Sequence, residues 1–135
     1  MSGQVFEFEQ FGRFVRHEVA EVDRFYENLR YVSILYFYLS EKEEAVTDVL
    51  GGVLRICDAI FHRDGHFLLV LPGTDKEGAL HVGTLLQEAF ERPVHEVAAT
   101  WPEDGRDEDA LVDALIEYTD GQNYQDIRDI LAAIR

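Results

Sequence analysis

The stretch from Arg55 to Thr74, RICDAIFHRDGHFLLVLPGT, decides the fold of this chain. Asp64 and Gly65 stand between two apolar runs. Asp-Gly in that position is the strongest local signal for a two-residue β-hairpin loop, because both residues must reach positive φ. We therefore predict a strand up to Arg63, a tight turn, and a second strand that begins at His66.

Length and composition indicate one folded domain, which we predict over residues 1–135. Hydrophobic residues make up 47% of the chain, too many for a disordered protein. The formal net charge of −15 opposes nucleic acid and anionic membranes, so we expect neither as a partner. The acidic balance by itself does not identify the partner.

The sequence predicts a cytoplasmic protein. Its apolar runs are too short to cross a bilayer, and its start lacks the basic residues of a signal peptide. The single cysteine, Cys57, cannot form an internal disulfide, which fits a reducing compartment. We expect Met1 and Arg135 to be the ends of a complete small chain.

A seven-residue repeat predicts an N-terminal helix over about residues 5–29. The repeat and its adjoining positions are apolar: Phe8, Phe11, Val15, Val19, Val22, Phe25, Tyr26 and Leu29. This stripe has two interpretations. It either packs on the domain, or it forms a helix for self-association or for a protein partner.

A core over about residues 31–120 follows. Its first element, 31–39, is rich in apolar and aromatic residues on both alternating faces. It predicts a central strand that is covered on both faces by the domain, or on one face by a partner. Two capping boxes, Ser40–Glu43 and Thr74–Glu77, predict helix starts, and Asp107 predicts a third. The remaining predictions are a strand over 94–101 and a short final helix over about 123–134.

This order predicts an α+β fold, specifically a βαββαβ sheet of the ferredoxin-like or palm-like kind. We expect it to be mainly antiparallel, with helices on one face and an extra helix at each end.

The order and its motifs resemble the GGDEF family, the bacterial diguanylate cyclases. In that family an Arg-x-x-Asp motif precedes the hairpin, and its turn carries Gly-Gly-Asp/Glu-Glu-Phe. Here the Arg-x-x-Asp motif is Arg55–Asp58. The segments 72–74 and 101–105 are similar to the family's helix start and its Tyr-Pro-x-Asp-Gly turn. The signature turn is replaced by Arg63, Asp64, Gly65, His66 and Phe67.

The resemblance also implies that the cyclase chemistry is absent. Condensing GTP requires divalent metals, which the family holds with an Asp at the end of the first core strand and an acidic pair on the turn. Here that strand ends in Tyr38 and Leu39, and the family's nucleotide-gripping segment is missing before Ser40. We expect a degenerate, shortened domain with no catalytic residues, no metal and no cofactor, and therefore not an enzyme.

Arg55 and Asp58 are the candidate ligand-binding residues, because the family's inhibitory site for cyclic di-GMP has this pattern. An arginine fork can meet phosphate or guanine, and an aspartate can accept from guanine N–H groups. The alternative is structural: Asp58 binds turn amides, and Arg55 complements a helix C-terminus.

Two further groups are predicted to carry no chemistry. In the hairpin register His62 faces Phe67 while His66 faces Arg63, so the histidines diverge and should not share a zinc ion. Cys57 is expected to be a buried, inert thiol.

The leading hypothesis is a catalytically inactive GGDEF-like module of bacterial signalling that binds a protein partner or forms a homodimer. We expect the partner surface to include exposed aromatic rings of the first core strand. The rings in question are Tyr31, Tyr36, Phe37 and Tyr38. The alternative hypothesis is a cyclic di-GMP receptor acting through Arg55 and Asp58.

Overall fold

A computed structural model describes residues 4–24, 31–55, 57–94 and 96–119. It contains five strands, four α-helices and one 3-10 turn at Phe8–Gln10. The strands are β1 Gln4–Phe6, β2 Val32–Tyr38, β3 Ala59–Arg63, β4 His66–Pro72 and β5 Glu96–Trp101. The helices are α1 Phe11–Arg24, α2 Glu43–Gly51, α3 Lys76–Phe90 and α4 Glu108–Thr119.

One sheet in the order β1-β3-β4-β2-β5 organises the molecule. β1 runs parallel to β3, and the other neighbours pair antiparallel. The run β2-α2-β3-β4-α3-β5 is the predicted βαββαβ core, so the predicted fold class is confirmed. The hairpin register is also as predicted, with Arg63 opposite His66 and His62 opposite Phe67.

β2 lies between β4 and β5 and has a core on each face, which explains why its sequence is mostly apolar. Its residues alternate between two cores. Ile34 and Tyr36 join the core under α1 and α4, whereas Leu35 and Phe37 join the core under α2 and α3. The two core helices thus share one face of the sheet, and the extra helices cover the other.

The predicted N-terminal helix is wrong in its first residues. Residues 4–6 form β1 and 8–10 form a 3-10 turn, so the helix begins only at Phe11. The backbone of Gln4 gains hydrogen bonds at the β3 side of the sheet, including one from its N–H to the Asp58 carbonyl at 3.0 Å. The helix prediction for 25–29 and the final helix at 123–134 lie outside the described residues.

The apolar stripe of α1 packs on the sheet. Its described members Phe8, Phe11, Val15 and Val19 are all buried in the core shared with α4. Packing on the domain is therefore the correct interpretation for these four side chains.

The two helices predicted from capping boxes begin later than predicted, at N-cap residues Lys42 and Asp75 instead of Ser40 and Thr74. α2 begins at Glu43. Its N-cap residue is Lys42, which lies two residues beyond Ser40, and no side chain caps the helix. α3 is capped by Asp75, whose Oδ1 accepts from the Gly78 N–H at 2.8 Å. The predicted cap at Asp107 is confirmed, since its Oδ1 accepts from the Ala110 N–H at 2.8 Å.

Candidate functional site

The hairpin tip is a turn with positive φ at both central residues, 52° at Asp64 and 85° at Gly65. The Asp-Gly prediction is therefore confirmed. A Cβ atom added at Gly65 would lie 3.0 Å from the Tyr38 ring. The Leu39 N–H also donates to the Gly65 carbonyl at 2.9 Å. These contacts fix the end of β2 against the tip of the hairpin.

His66 does not point to solvent, because it belongs to a buried polar pair. A hydrogen bond of 2.8 Å joins the His66 Nδ1 to the Tyr36 hydroxyl. The ring centroids of His66 and Tyr38 lie 4.9 Å apart. The prediction of an exposed aromatic surface on this strand is wrong for Tyr36 and Phe37, which are fully buried. Of the other two predicted rings, Tyr38 is 41% exposed and Tyr31 is half-buried.

The other residues in place of the signature turn also serve the fold. Phe67 is buried and stacks on Phe37 with ring centroids 5.0 Å apart. Arg63 pairs with Glu9 and places its guanidinium 4.7 Å from the Phe8 ring centroid, so it ties the hairpin to the 3-10 turn. Asp64 stays exposed at the tip.

The groups that meet between β2 and the turn are mainly aromatic rings and an imidazole. In the described part of the chain, no three His, Cys, Asp or Glu side chains converge as a possible metal site. His62 and His66 lie on opposite faces of the hairpin, as predicted, since His62 contacts Phe67 and His66 contacts Tyr36.

The connection from β2 to α2 is short, and a side chain from the end of α3 contacts it. Four residues, 39–42, link the two elements, and Leu39 is buried. Arg92, beyond the end of α3, reaches across this connection. Its Nη2 lies 3.3 Å from the Ser40 hydroxyl and 3.4 Å from a Glu41 carboxylate oxygen.

Arg55 and Asp58 lie together at the start of β3 and are bonded to each other. Asp58, at 4% exposure, accepts the Arg55 backbone N–H at 2.8 Å and the Arg55 Nη2 at 3.0 Å. The same Nη2 donates to the Pro72 carbonyl and to the Thr74 hydroxyl. The hydrogen bond with Asp58 raises the pKa of Arg55 above its ordinary value.

This arrangement joins the turn before β3 to the end of β4. Both oxygens of Asp58 already have partners within the chain. The Arg55 side chain keeps 51% exposure. A ligand would therefore meet the guanidinium before the carboxylate.

Cys57 is exposed, which corrects the prediction of a buried thiol. It lies in the turn before β3, outside the apolar strand that begins at Ala59. Partial desolvation raises the pKa of the Cys57 thiol, which disfavours the reactive thiolate.

A polar network that sequence reasoning missed surrounds Asp104, within the segment 101–105. Its carboxylate accepts from the Thr100 N–H and Lys76 Nζ at 2.8 Å, and from the Tyr118 hydroxyl at 2.5 Å. Burial alone would raise the pKa of Asp104, but the bonds from Lys76, Tyr118 and Thr100 lower it overall. The sequence did contain a signal for this network, because Asp104 matches the aspartate of the Tyr-Pro-x-Asp-Gly turn.

Two solved structures share this fold. A DGC protein from Thermotoga maritima superposes with a TM-score of 0.65 at 20% identity, covering 84% of this chain and 95% of that one. The GGDEF domain of PA1120 (YfiN or TpbB) from Pseudomonas aeruginosa superposes with a TM-score of 0.66 at 16% identity. That superposition covers 92% of this chain and 91% of that one. No protein-family model and no curated protein matches the chain.

The chain therefore has the fold of a GGDEF domain, as its motifs implied. At these identities the likeness concerns the fold alone, and chemistry has to be argued from the residues. No helix in the described ranges is long and apolar enough to cross a membrane.

Proposed function

We propose that this chain is a GGDEF-fold domain without diguanylate cyclase activity, which acts in bacterial signalling by binding a protein partner. The observation that carries the proposal is the packing at the end of β2. Tyr38 lies against Gly65 and His66 at the position where the resemblance calls for a metal-binding carboxylate. Tyrosine offers a neutral phenol there, in place of the anionic carboxylate with which proteins bind magnesium.

The β2–α2 connection supports the same proposal. A cyclase of this kind needs a segment there that grips guanine and phosphates. Here four residues, 39–42, cover the distance, and Arg92 is engaged with Ser40 and Glu41. The nucleotide would also approach a chain whose formal net charge is −15.

A cyclase assay tests the inactive half of the proposal. The purified protein is incubated with GTP and either Mg²⁺ or Mn²⁺, and cyclic di-GMP is measured by liquid chromatography and mass spectrometry. An active diguanylate cyclase run in parallel shows that the assay works. We expect no product above the no-protein control, and reproducible product would overturn the proposal.

A second candidate function is binding of cyclic di-GMP at Arg55. The half-exposed guanidinium supports it, since an arginine fork binds phosphate and the Hoogsteen edge of guanine. Asp58 would then hold the fork in place through its existing hydrogen bonds.

Calorimetry decides this second function. Cyclic di-GMP is titrated into wild type, Arg55→Ala and the control Arg106→Ala, which removes an exposed arginine outside this site. If the protein is a receptor, wild type should release or absorb heat at micromolar ligand. Arg55→Ala should then lower the affinity at least tenfold, and Arg106→Ala should leave it unchanged. Equal binding by wild type and Arg55→Ala, or no binding at all, would remove it.

A further inference from the structure

A cleft of about 240 Å³ opens beside β1, on the α1 side of the sheet. Its lining comes from the end of β1, the 3-10 turn and the first two turns of α1: Phe6, Gln10, Arg13, Phe14 and His17. None of these residues belongs to the hairpin tip or to the Arg55 pair. The cleft is therefore a second, separate feature of the surface.

The apolar walls of the cleft are held from behind. The Phe6 and Phe14 ring centroids lie 5.2 Å apart, and each lies 5.7 Å from the ring of Phe61, which is fully buried. Phe11 packs edge-on against the same Phe61 ring at 5.4 Å. Rings fixed in this way lose little conformational entropy when a ligand arrives, so the cleft is preorganised.

The size of the cleft favours a single side chain. Sites for small molecules and cofactors enclose about 300–1,000 Å³, more than is available here. A small apolar cleft with aromatic walls is instead typical of a pocket that takes one anchor residue from a protein partner.

The rim of the cleft carries an exposed cation, Arg13. Within the described ranges, Arg13 makes no hydrogen bond or ion pair. His17, on the same rim, lies 3.6 Å from a Glu21 carboxylate oxygen. The formal net charge of −15 opposes anionic ligands at long range. The exposed guanidinium of Arg13, next to the apolar cleft, is the local group that favours a carboxylate on the ligand.

The adjoining strand is able to pair with an extended peptide. β1 is the outermost strand, and its other edge pairs with no strand among the residues that the structure describes. The Gln4 N–H donates to Asp58, so the alternation of the strand turns the N–H and C=O of Val5 away from β3. Val5 is 46% exposed, and β1 contains neither proline nor a charged residue to block an approaching strand.

We propose that β1 and this cleft bind an extended, acidic segment of a partner protein. The segment adds a strand along Val5, rests one apolar side chain in the cleft against the rings of Phe6 and Phe14, and places a carboxylate on Arg13. This inference rests on the proposed interaction function, for which it supplies the surface and the chemistry of the partner.

The probe for the test is a blocked peptide with the sequence Glu-Val-Phe-Val-Asp, titrated to several millimolar into ¹⁵N-labelled protein. We expect saturable amide shifts confined to β1, the 3-10 turn and the first half of α1. Lysine in place of both acidic residues should weaken binding about tenfold, because the bond to Arg13 becomes a repulsion. Serine in place of phenylalanine should remove the saturation.

Two protein variants separate the charge from the strand. Arg13→Glu should weaken binding of the acidic peptide about tenfold, whereas Arg106→Glu, at an exposed arginine outside the cleft, should not change it. Val5→Pro removes an outward N–H and leaves the bonds to β3, so it should abolish strand addition, whereas Val5→Ala should keep it. The amide spectrum of each variant shows whether it is folded.

Each of the following outcomes would overturn the proposal: no saturable shift, shifts centred elsewhere, or equal binding by Arg13→Glu and Arg106→Glu. Sedimentation without peptide identifies a competing occupant, because a dimer abolished by Val5→Pro would assign the edge to a second copy of the chain. The cyclase assay is run on the same sample. If the protein forms cyclic di-GMP and still binds the peptide, only the proposal that it is inactive fails. If it forms no cyclic di-GMP and does not bind the peptide, only the proposal for the cleft and β1 fails.

Discussion

Gly65 occupies a position that only glycine fills without strain, and substitution there should destabilise the fold. Its φ is 85°, and an added Cβ would lie 3.0 Å from the Tyr38 ring and 3.4 Å from the Leu39 carbonyl. We expect Gly65→Ala to lower the free energy of unfolding by about 1–3 kcal/mol, measured by urea denaturation.

Gly52→Ala is the matched control. Gly52 follows α2 with φ of −85°, and its added Cβ would meet only the Val49 carbonyl, at 3.5 Å. We expect this variant to stay within about 0.5 kcal/mol of wild type. Equal unfolding midpoints for the two variants would show that the contact between Tyr38 and the turn carries no strain.

At the scale of residues, sequence reasoning succeeded where chemistry is local. The Asp64-Gly65 turn follows from two adjacent residues and their φ preferences. The pairing of Tyr36 with His66 joins residues 30 positions apart, and it became visible only once the register of β2 and β4 was known. Cys57 was misplaced for a related reason, because strand composition does not mark the residue at which burial begins.

A partly buried ion pair joins α1 to α4 beside the apolar core that the two helices share. Arg16 Nη1 lies 2.6 Å from an oxygen of Glu108, whose side chain is 6% exposed. We expect Arg16→Ala to lower the free energy of unfolding by about 1–2 kcal/mol, because a buried carboxylate loses its partner.

Glu108→Gln in the Arg16→Ala background supplies the control. The amide carries no charge, so we expect the double variant to recover part of the lost stability in the same urea experiment. If Arg16→Ala were as stable as wild type, the exposed guanidinium would contribute nothing to helix packing.

The attachment of α4 to the β5 turn should respond to alkaline pH. The hydrogen bond with Asp104 raises the pKa of Tyr118 from 10.0 to about 12. A raised folded-state pKa means that the unfolded chain loses its proton first. The contribution of Tyr118 to stability is therefore complete below pH 10 and is lost as the pH rises toward 12.

We expect wild type to lose stability over this interval more steeply than Tyr118→Phe, with urea midpoints measured at several pH values. Other tyrosines titrate in both proteins, so the difference between them isolates Tyr118. Parallel curves for the two proteins would contradict the assigned hydrogen bond.

At the scale of elements, periodicity gave the helices and strands of the core but not their ends. The helices predicted to start in capping boxes at 40–43 and 74–77 have their N-caps at Lys42 and Asp75, because the start of a helix depends on where the chain leaves the sheet. β1 was predicted as helix because three residues of strand have no pattern of their own. They form a strand because the edge of β3 offers them hydrogen bonds.

At the scale of the molecule, the sheet has an apolar core on each face, and helices cover both. The sequence indicated cover on both faces of β2, which carries apolar residues on both alternating faces. It did not indicate that the two extra helices would lie together on the second face. What it could not predict is the cleft beside β1. That cleft requires Phe6 from a strand and Phe14 from a helix to meet over Phe61, and no local motif encodes such a meeting.

The charge of the whole molecule leads to the last prediction. The chain carries 27 Asp and Glu against 12 Lys and Arg, for a formal net charge of −15. Folding brings these charges closer than they are in the unfolded chain, so mutual repulsion lowers stability. Salt shortens the screening length from about 30 Å at 0.01 M to about 10 Å at 0.1 M, which weakens that repulsion.

We expect NaCl raised from 0.01 M to about 0.3 M to increase the free energy of unfolding by on the order of 1 kcal/mol, seen as a higher urea midpoint. Sodium sulfate at equal ionic strength is the control, because sulfate also strengthens apolar burial. Screening predicts that chloride alone produces most of the increase. A midpoint that falls with NaCl would mean that pairs such as Arg16–Glu108 contribute more to stability than the net repulsion removes.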